Sequence, residues 1–316
     1  KRTKQNCTLI YMALNIIFMG TPNFAVPILK SLNNLNHNIL EVYTQPPNKK
    51  NRGQKIQNSP IHDFSNKLNL PVRCPIAFDE KEINHIKKLN PDLVIVVAYG
   101  KILPVKLLNI DKVLFINVHA SLLPRWRGAA PIQRAIMNLD EEIGISIMKI
   151  VEELDSGPVS NMYKFKLDKN SNAQEISEKL SLLAAEKILD NIDDILEDKA
   201  KFIEQDHSKA TYAKKIDKKE GQIDWRIGAL KIIGKINGLF PSPGAFFSFN
   251  GERYKILKAQ IGNGAGEFGE VVSDYLEIAC GNNQTIKILE IQRQGKNPQK
   301  ISEFMLGTKI KKGSMI

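Results

Sequence analysis

The stretch Leu93–His119, LVIVVAYGKILPVKLLNIDKVLFINVH, decides the fold. It holds two short runs, Leu93–Val97 and Val113–Val118, that are apolar at nearly every position and rich in β-branched residues. Such runs fit strands of a parallel sheet covered on both faces. Working outward, Gly144–Ile150 is a third run of this kind. Asn15–Met19 reads as a buried first strand that leaves through Gly20-Thr21-Pro22, and Asn38–Tyr43 as the second. Helical stretches fall between them: Asn23–Leu32 with Asn23 as N-cap, Pro60–Leu68, and Asp79–Leu89. Asn172–Asp198 is amphipathic, with Ile176, Leu180, Leu183, Leu189, Ile192 and Leu196 on one stripe. Strands alternating with helices predict an α/β domain, a Rossmann-like open and mostly parallel sheet with helices on both faces.

The pattern changes near residue 200. Lys201–Lys219 is polar and lysine-rich and reads as a linker. Gly228–Gly238 reads as a helix. Short runs punctuated by glycine then follow (GAFFSFNG, ERYKILKAQ, GEVV, YLEIAC, TIKILEIQR), which predict a small C-terminal β-barrel of the OB-like kind. The expected division is an N-terminal extension at 1–11, a catalytic domain at 12–200, a linker at 201–219 and a barrel at 220–316. Met12 reads as a natural start.

The 316 residues suit two domains at roughly 100–200 residues each. With 42% apolar and 25% charged residues the chain can bury a core, which excludes disordered and collagen-like classes. No apolar run reaches the ~18 residues of a membrane span. Three cysteines, Cys7, Cys74 and Cys280, are odd in number and far apart, as expected in a reducing cytoplasm. The net charge is +11. From Asp206 onward 18 basic residues face 11 acidic ones, a net of +7, while the long middle of the chain is nearly balanced. A basic tail on a neutral body suggests a polyanionic partner.

Ligands of open α/β sheets bind beyond the carboxyl ends of the strands. The first strand ends in GTPNFA, without the G-x-G-x-x-G of a dinucleotide site, and no phosphate loop G-x-x-x-x-G-K-[ST] occurs. After the fourth strand, Asn117 and His119 are two apart and share a face. An amide and an imidazole placed there suit a developing oxyanion, and His119 suits proton transfer near neutral pH. The same pair also describes a turn former and a satisfied buried histidine. Asp155, in VEELDSG, follows the next strand and could orient the imidazole or form an ordinary Asp-Ser-Gly turn. No metal-ligand cluster and no G-x-S-x-G elbow is present. The loop TQPPNKKNRGQK carries Lys49, Lys50, Arg52 and Lys55 and no acid, which describes either a phosphate-meeting arm or a solvated loop.

SLLPRWRGAAPIQ (residues 121–133), with NVH before it and LDSG after it, resembles the formyl-tetrahydrofolate-dependent formyltransferases, and among them those acting on methionyl-tRNA. The likeness extends through FMGTPNFAVPIL, VYTQP, RGQK, LPV, VVAYGKILP, ATYAKKI, IDW, PSPGAFF and LEIQRQGKNP, and so covers both expected domains. It implies transfer of a formyl group from 10-formyltetrahydrofolate to the α-amine of methionyl initiator tRNA, by a cytoplasmic monomer without metal. It places the family's catalytic residues on Asn117, His119 and Asp155. Folate contacts fall on Ser121, Leu122, Leu123 and Pro124, with lining near Ala98, Tyr99 and Gly100. A tRNA contact falls on Arg52, with Lys49, Lys50 and Lys55 beside it. Val151, Glu153 and Ser156 depart from the family's D-x-G-L-D-T-G pattern, and Pro47-Asn48 stands where Asp-Arg is common. Rival readings are a formyltransferase for amino-sugar nucleotides, which shares the three catalytic residues but leaves the basic loop and tail unexplained, and a nucleic-acid-binding protein with a vestigial catalytic domain.

Overall fold

A computed structural model describes residues 13–35, 37–50, 55–308 and 310–316, with only the main chain of Lys49, Lys50 and Lys55. The chain begins with β1 (Asn15–Gly20), a 3-10 turn (Asn23–Ala25), α1 (Val26–Asn33), β2 (Asn38–Tyr43), β3 (Asn48–Lys50), β4 (Lys55–Gln57), α2 (Pro60–Lys67) and β5 (Val72–Arg73). It continues with α3 (Glu80–Leu89), β6 (Leu93–Val97), α4 (Val105–Leu108), β7 (Leu114–His119), β8 (Arg127–Gly128), α5 (Pro131–Asn138), β9 (Glu142–Lys149), β10 (Val159–Lys166) and α6 (Ala173–Leu196). Then come β11 (Tyr212–Ala213), α7 (Ala229–Gly238), β12 (Ala245–Phe249), β13 (Glu252–Ile261), β14 (Glu277–Cys280), β15 (Gln284–Arg293), β16 (Gln299–Lys300) and α8 (Ile301–Met305).

Seven strands form one sheet in the order β10-β9-β7-β6-β1-β2-β5. The neighbours β7-β6, β6-β1, β1-β2 and β2-β5 are all parallel. The strand order reverses between β1 and β6, the switch point at which such sheets leave a crevice. β6 is buried at every residue, as its unbroken LVIVV predicts. Ile17, Met19, Val94 and Val96 pack on one face with Ile83 and Ile86 of α3. Burying a side chain of this size contributes about 1.5–3 kcal/mol.

Caps set the helix starts. Ser59 accepts from the His62 N–H before Pro60 begins α2, and Asp79 accepts from the Glu82 N–H at the head of α3. At α6 Asn172 accepts from the Gln174 and Glu175 N–H groups while Glu175 accepts from the Asn172 N–H. Asn23 is not a cap: Pro22 precedes a 3-10 turn, and α1 starts only at Val26, where Pro27 fixes the first turn. The stripe of α6 also differs from the expected one. Leu183, Leu189 and Leu196 lie at its half-buried margin, and the buried line runs Ile176, Leu180, Ala184, Ile188, Ile192, Ile195. The alanine allows close approach, and Ser181 Oγ donates to the Phe24 carbonyl at 2.6 Å.

The basic loop is structured at both ends. β3 and β4 form an antiparallel hairpin with Lys50 opposite Lys55. Residues 201–219 carry two 3-10 turns and β11, which pairs in parallel with β8. Further on, β12-β13-β15-β14 form an antiparallel sheet, with β16 on β15. GEVV makes isolated bridges instead of a strand. Ile232 and Ile236 of α7 join Trp225, Phe247, Tyr254, Ile278 and Ile288 in its core.

The chain packs as two compact units. One holds the described residues of Lys1–His119 with Ile147–Asn161 and Ser181–Glu204; the other holds Ala120–Ser146, Met162–Leu180 and Gln205–Ile316. Within the second, α5 lies against α7. Gly234 and Gly238 face Ile136 and Met137 there, and a β-carbon on Gly238 would stand 2.9 Å from the Gln133 carbonyl.

Candidate functional site

β7 delivers Asn117 and His119 to the carboxyl end of the sheet. Asn117 stands opposite Val96 of β6, and Val118 turns the other way into the core. His119 is 6% exposed. Asp155 comes from the loop after β9. Its Oδ1 accepts from Asn117 Nδ2 at 3.3 Å, and its Oδ2 lies 3.6 Å from His119 Nδ1. The structure thus brings the three polar side chains together around one carboxylate. A carboxylate facing one ring nitrogen fixes the ring's orientation.

The Asp155 loop is held tightly. The Lys149 N–H donates to the Pro158 carbonyl at 2.9 Å, and the Ile150 N–H to the Phe115 carbonyl of β7 at 2.9 Å. Gly157 passes so close to β9 that a β-carbon would meet the Lys149 carbonyl at 2.1 Å. Ser156 Oγ donates to the Glu153 carbonyl at 3.1 Å. Asp155 itself has φ +48°, the left-handed region that side chains rarely adopt. Strain of this kind clusters at functional positions.

Ala98 and Gly100, after β6, are both exposed and both have positive φ, +47° and +79°. Tyr99 between them is 1% exposed; its ring tilts against Phe78 in the core. Only its main chain reaches the surface of this turn, where its carbonyl accepts from Thr21 Oγ1 and Gln45 Nε2. Gln45 also holds the Gly100 carbonyl. Gln45 and Gly157 are not among the site residues expected from the sequence. Gly157 was visible as the glycine of LDSG; Gln45, in VYTQP, carries no signal without its partners.

In the second unit, Ser121 Oγ donates to the Arg125 carbonyl at 2.6 Å and is 1% exposed. Leu123 is buried as well, so Leu122 and Pro124 are the half-exposed members of the turn. RWRG is built for shape. Asp140 accepts from Arg125 at 2.8 Å, Trp126 Nε1 at 2.7 Å and Asn138 at 2.6 Å. Arg127, 2% exposed, donates to Gln205 at 2.7 Å, and β8 pairs with β11 beside it.

Lys49, Lys50 and Lys55 lie on the hairpin main chain, and Arg52 lies outside the described residues. Among the described residues no group of three or more His, Cys, Asp or Glu side chains is placed to hold a metal ion. Among them, too, no helix is long and apolar enough to cross a membrane.

Residues 14–192 match the family model for formyl transferase, and 215–309 that for the formyl transferase C-terminal domain. The chain is 60% identical to a methionyl-tRNA formyltransferase of Pelagibacter ubique, over 96% of this chain and 99% of that protein. It is 40% identical to that of Paramagnetospirillum magneticum, over 96% of this chain and all of the other. Among solved structures, the sugar 3N-formyltransferase WlaRD superposes with TM-score 0.65 at 19% identity, over 91% of this chain and all of that one. HypX of Aquifex aeolicus with tetrahydrofolic acid superposes with TM-score 0.65 at 15% identity, over 96% of this chain and 51% of that longer chain. These two share the fold. Both family models and the full-length relatives agree: the chain belongs to the formyl transferase family and groups with the methionyl-tRNA formyltransferases.

Proposed function

We propose that the protein transfers the formyl group of 10-formyltetrahydrofolate to the α-amine of methionyl initiator tRNA. The convergence of Asn117 and His119 on the Asp155 carboxylate, at the end of β7, carries this reading. It is supported by the full-length likeness to enzymes of that name.

The amine must be neutral to attack. Ordinary α-amines titrate at about 7.7–8.0, so a useful neutral fraction exists near pH 7. Attack on the formyl carbon makes a bond from nitrogen and pushes an electron pair onto the formyl oxygen. The Asn117 amide and the protonated His119 ring donate to that oxygen. Asp155 stabilises the charge on His119 and accepts the proton that the amine sheds, directly or through water. The carbon–nitrogen bond to the folate then breaks, and tetrahydrofolate leaves with a proton in place of the formyl group. The Asn117–Asp155 contact is long for a hydrogen bond. It therefore yields easily when a carbonyl oxygen competes for the amide.

The domain assignment follows the same reading: residues 12–200 perform the chemistry, and 220–316 bind tRNA with their excess of basic residues. Arg52 and its lysine neighbours meet the acceptor end. The protein acts as a monomer in the cytoplasm. The test is formyl transfer from 10-formyltetrahydrofolate to charged initiator tRNA, with charged elongator tRNA as control. Transfer to neither tRNA would end the proposal.

A further inference from the structure

Ser146 stands in the middle of β9, within GISIMKI, at 0% exposure. A fully buried hydroxyl destabilises the fold unless both its proton and a lone pair find partners. Both partners lie in one short turn. Ser146 Oγ donates to the Ser121 carbonyl at 2.7 Å and accepts from the Leu123 N–H at 3.1 Å. The direction is fixed, since a carbonyl only accepts and an N–H only donates. Outside this clamp the turn is closed by Ser121 Oγ on the Arg125 carbonyl, by the Arg125 N–H on the Leu122 carbonyl at 3.1 Å, and by the Thr211 N–H on the Pro124 carbonyl at 3.2 Å. Gly144, two residues earlier on β9, makes room for the turn: a β-carbon there would stand 2.6 Å from Leu122 Cδ2.

We propose that Ser146 is a positioning residue for the formyl donor: it holds Ser121–Pro124 in the one main-chain shape that receives the folate. This rests on the function proposed above and on the family resemblance, which gives that turn to 10-formyltetrahydrofolate. Without the hydroxyl, two buried main-chain groups lose their partners, and the turn must be reordered each time the donor binds. The loss therefore falls on the donor and not on the tRNA.

The test is a kinetic split on Ser146→Ala and Ser146→Thr. In Ser146→Ala the KM for 10-formyltetrahydrofolate and the calorimetric Kd for tetrahydrofolate are expected to rise about tenfold, with the KM for methionyl-tRNA within about twofold of wild type. Ser146→Thr keeps the hydroxyl and is expected to recover most of the donor affinity. Lower thermal stability with donor KM and tetrahydrofolate Kd unchanged would overturn the proposal, as would an equal rise in KM for both substrates. Should Ser146→Ala not fold, Ser146→Cys, with its weak donor, carries the same comparison and is expected to fall between alanine and wild type. Wild-type protein that binds tetrahydrofolate yet formylates no tRNA would sink the function proposed above while leaving this Kd comparison intact.

Discussion

Gly157→Ala isolates the placement of Asp155 from its chemistry. A β-carbon at Gly157 would sit 2.1 Å from the Lys149 carbonyl, where ordinary contact begins at 3.4 Å, so one side must retreat by about 1.3 Å. The end of β9 is tied into the sheet by the Ile150 N–H on the Phe115 carbonyl of β7, whereas the Lys149 N–H on the Pro158 carbonyl only joins the loop to β9. The loop therefore gives way, carrying Asp155, two residues upstream. Its carboxylate begins 3.3 Å from the Asn117 amide and 3.6 Å from His119 Nδ1. A shift of this size ends both contacts. Misplacing a reacting group by about 1 Å costs ~100-fold in rate, or about 2.7 kcal/mol of barrier. Single-turnover formylation of methionyl-tRNA reads that loss directly, with circular dichroism and thermal melting to show an intact fold. Gly307→Ala, where a β-carbon meets nothing within 4 Å, is the control and keeps wild-type rate. A folded Gly157→Ala enzyme within about threefold of wild type would refute the role given to Asp155's position.

Asn117→Ala, His119→Ala and Asp155→Asn are each expected to cut kcat by about 10²–10³ with melting temperature little changed, and the double variant Asn117→Ala/Asp155→Asn to lose less than the product of the two. Glu82, bonded to Arg73, and Glu220, bonded to Arg134, have carboxyls held below their ordinary 4.5. Their stabilisation is complete above that value and fades as the pH falls below it, so melting temperatures are expected to drop from about pH 5 downward, less steeply in Glu220→Gln. Gly238→Ala would ordinarily strengthen a helix by up to about 1 kcal/mol; against the Gln133 carbonyl at 2.9 Å it is expected to lower stability by about 1–3 kcal/mol in urea unfolding. Arg52→Ala is expected to raise the KM for tRNA and reduce the slope of log affinity against log salt by about one, with the donor KM unchanged.

The parallel core was legible because its strands are buried on both faces and read as unbroken apolar runs. The elements that escaped are those with only one buried face or very few residues. β10, VSNMYKFK, alternates half-buried with exposed positions at the rim of the sheet, and β5 has two residues. The eight residues of α5 turn only Ile132, Ala135 and Ile136 inward. Asn117, His119 and Asp155 were found as strand-end polar residues, but nothing in their spacing along the chain gives the 3.3 and 3.6 Å that join them. That depends on Gly157 and on the hydrogen bonds of residues 149–158, which are tertiary facts. Ser146 left a trace, a lone hydroxyl inside GISIMKI, but its partners lie 25 and 23 residues away in the chain.

Asp155 is subject to two independent selections at once. Its main chain bends through φ +48°, a posture that glycine, asparagine and aspartate tolerate and other residues resist. Its side chain must bring an anion to an amide and an imidazole. Glycine and asparagine meet the first demand and fail the second; glutamate meets the second, one methylene too long, and fails the first. The viable alphabet at this position shrinks to a single letter. The neighbouring Val151, Glu152, Glu153 and Leu154 are all exposed, and the loop tolerates unusual residues there without disturbing that letter. Saturation mutagenesis would return a permissive tract over 151–154, near-total intolerance at 155, and at 157 the steric intolerance set by the Lys149 carbonyl.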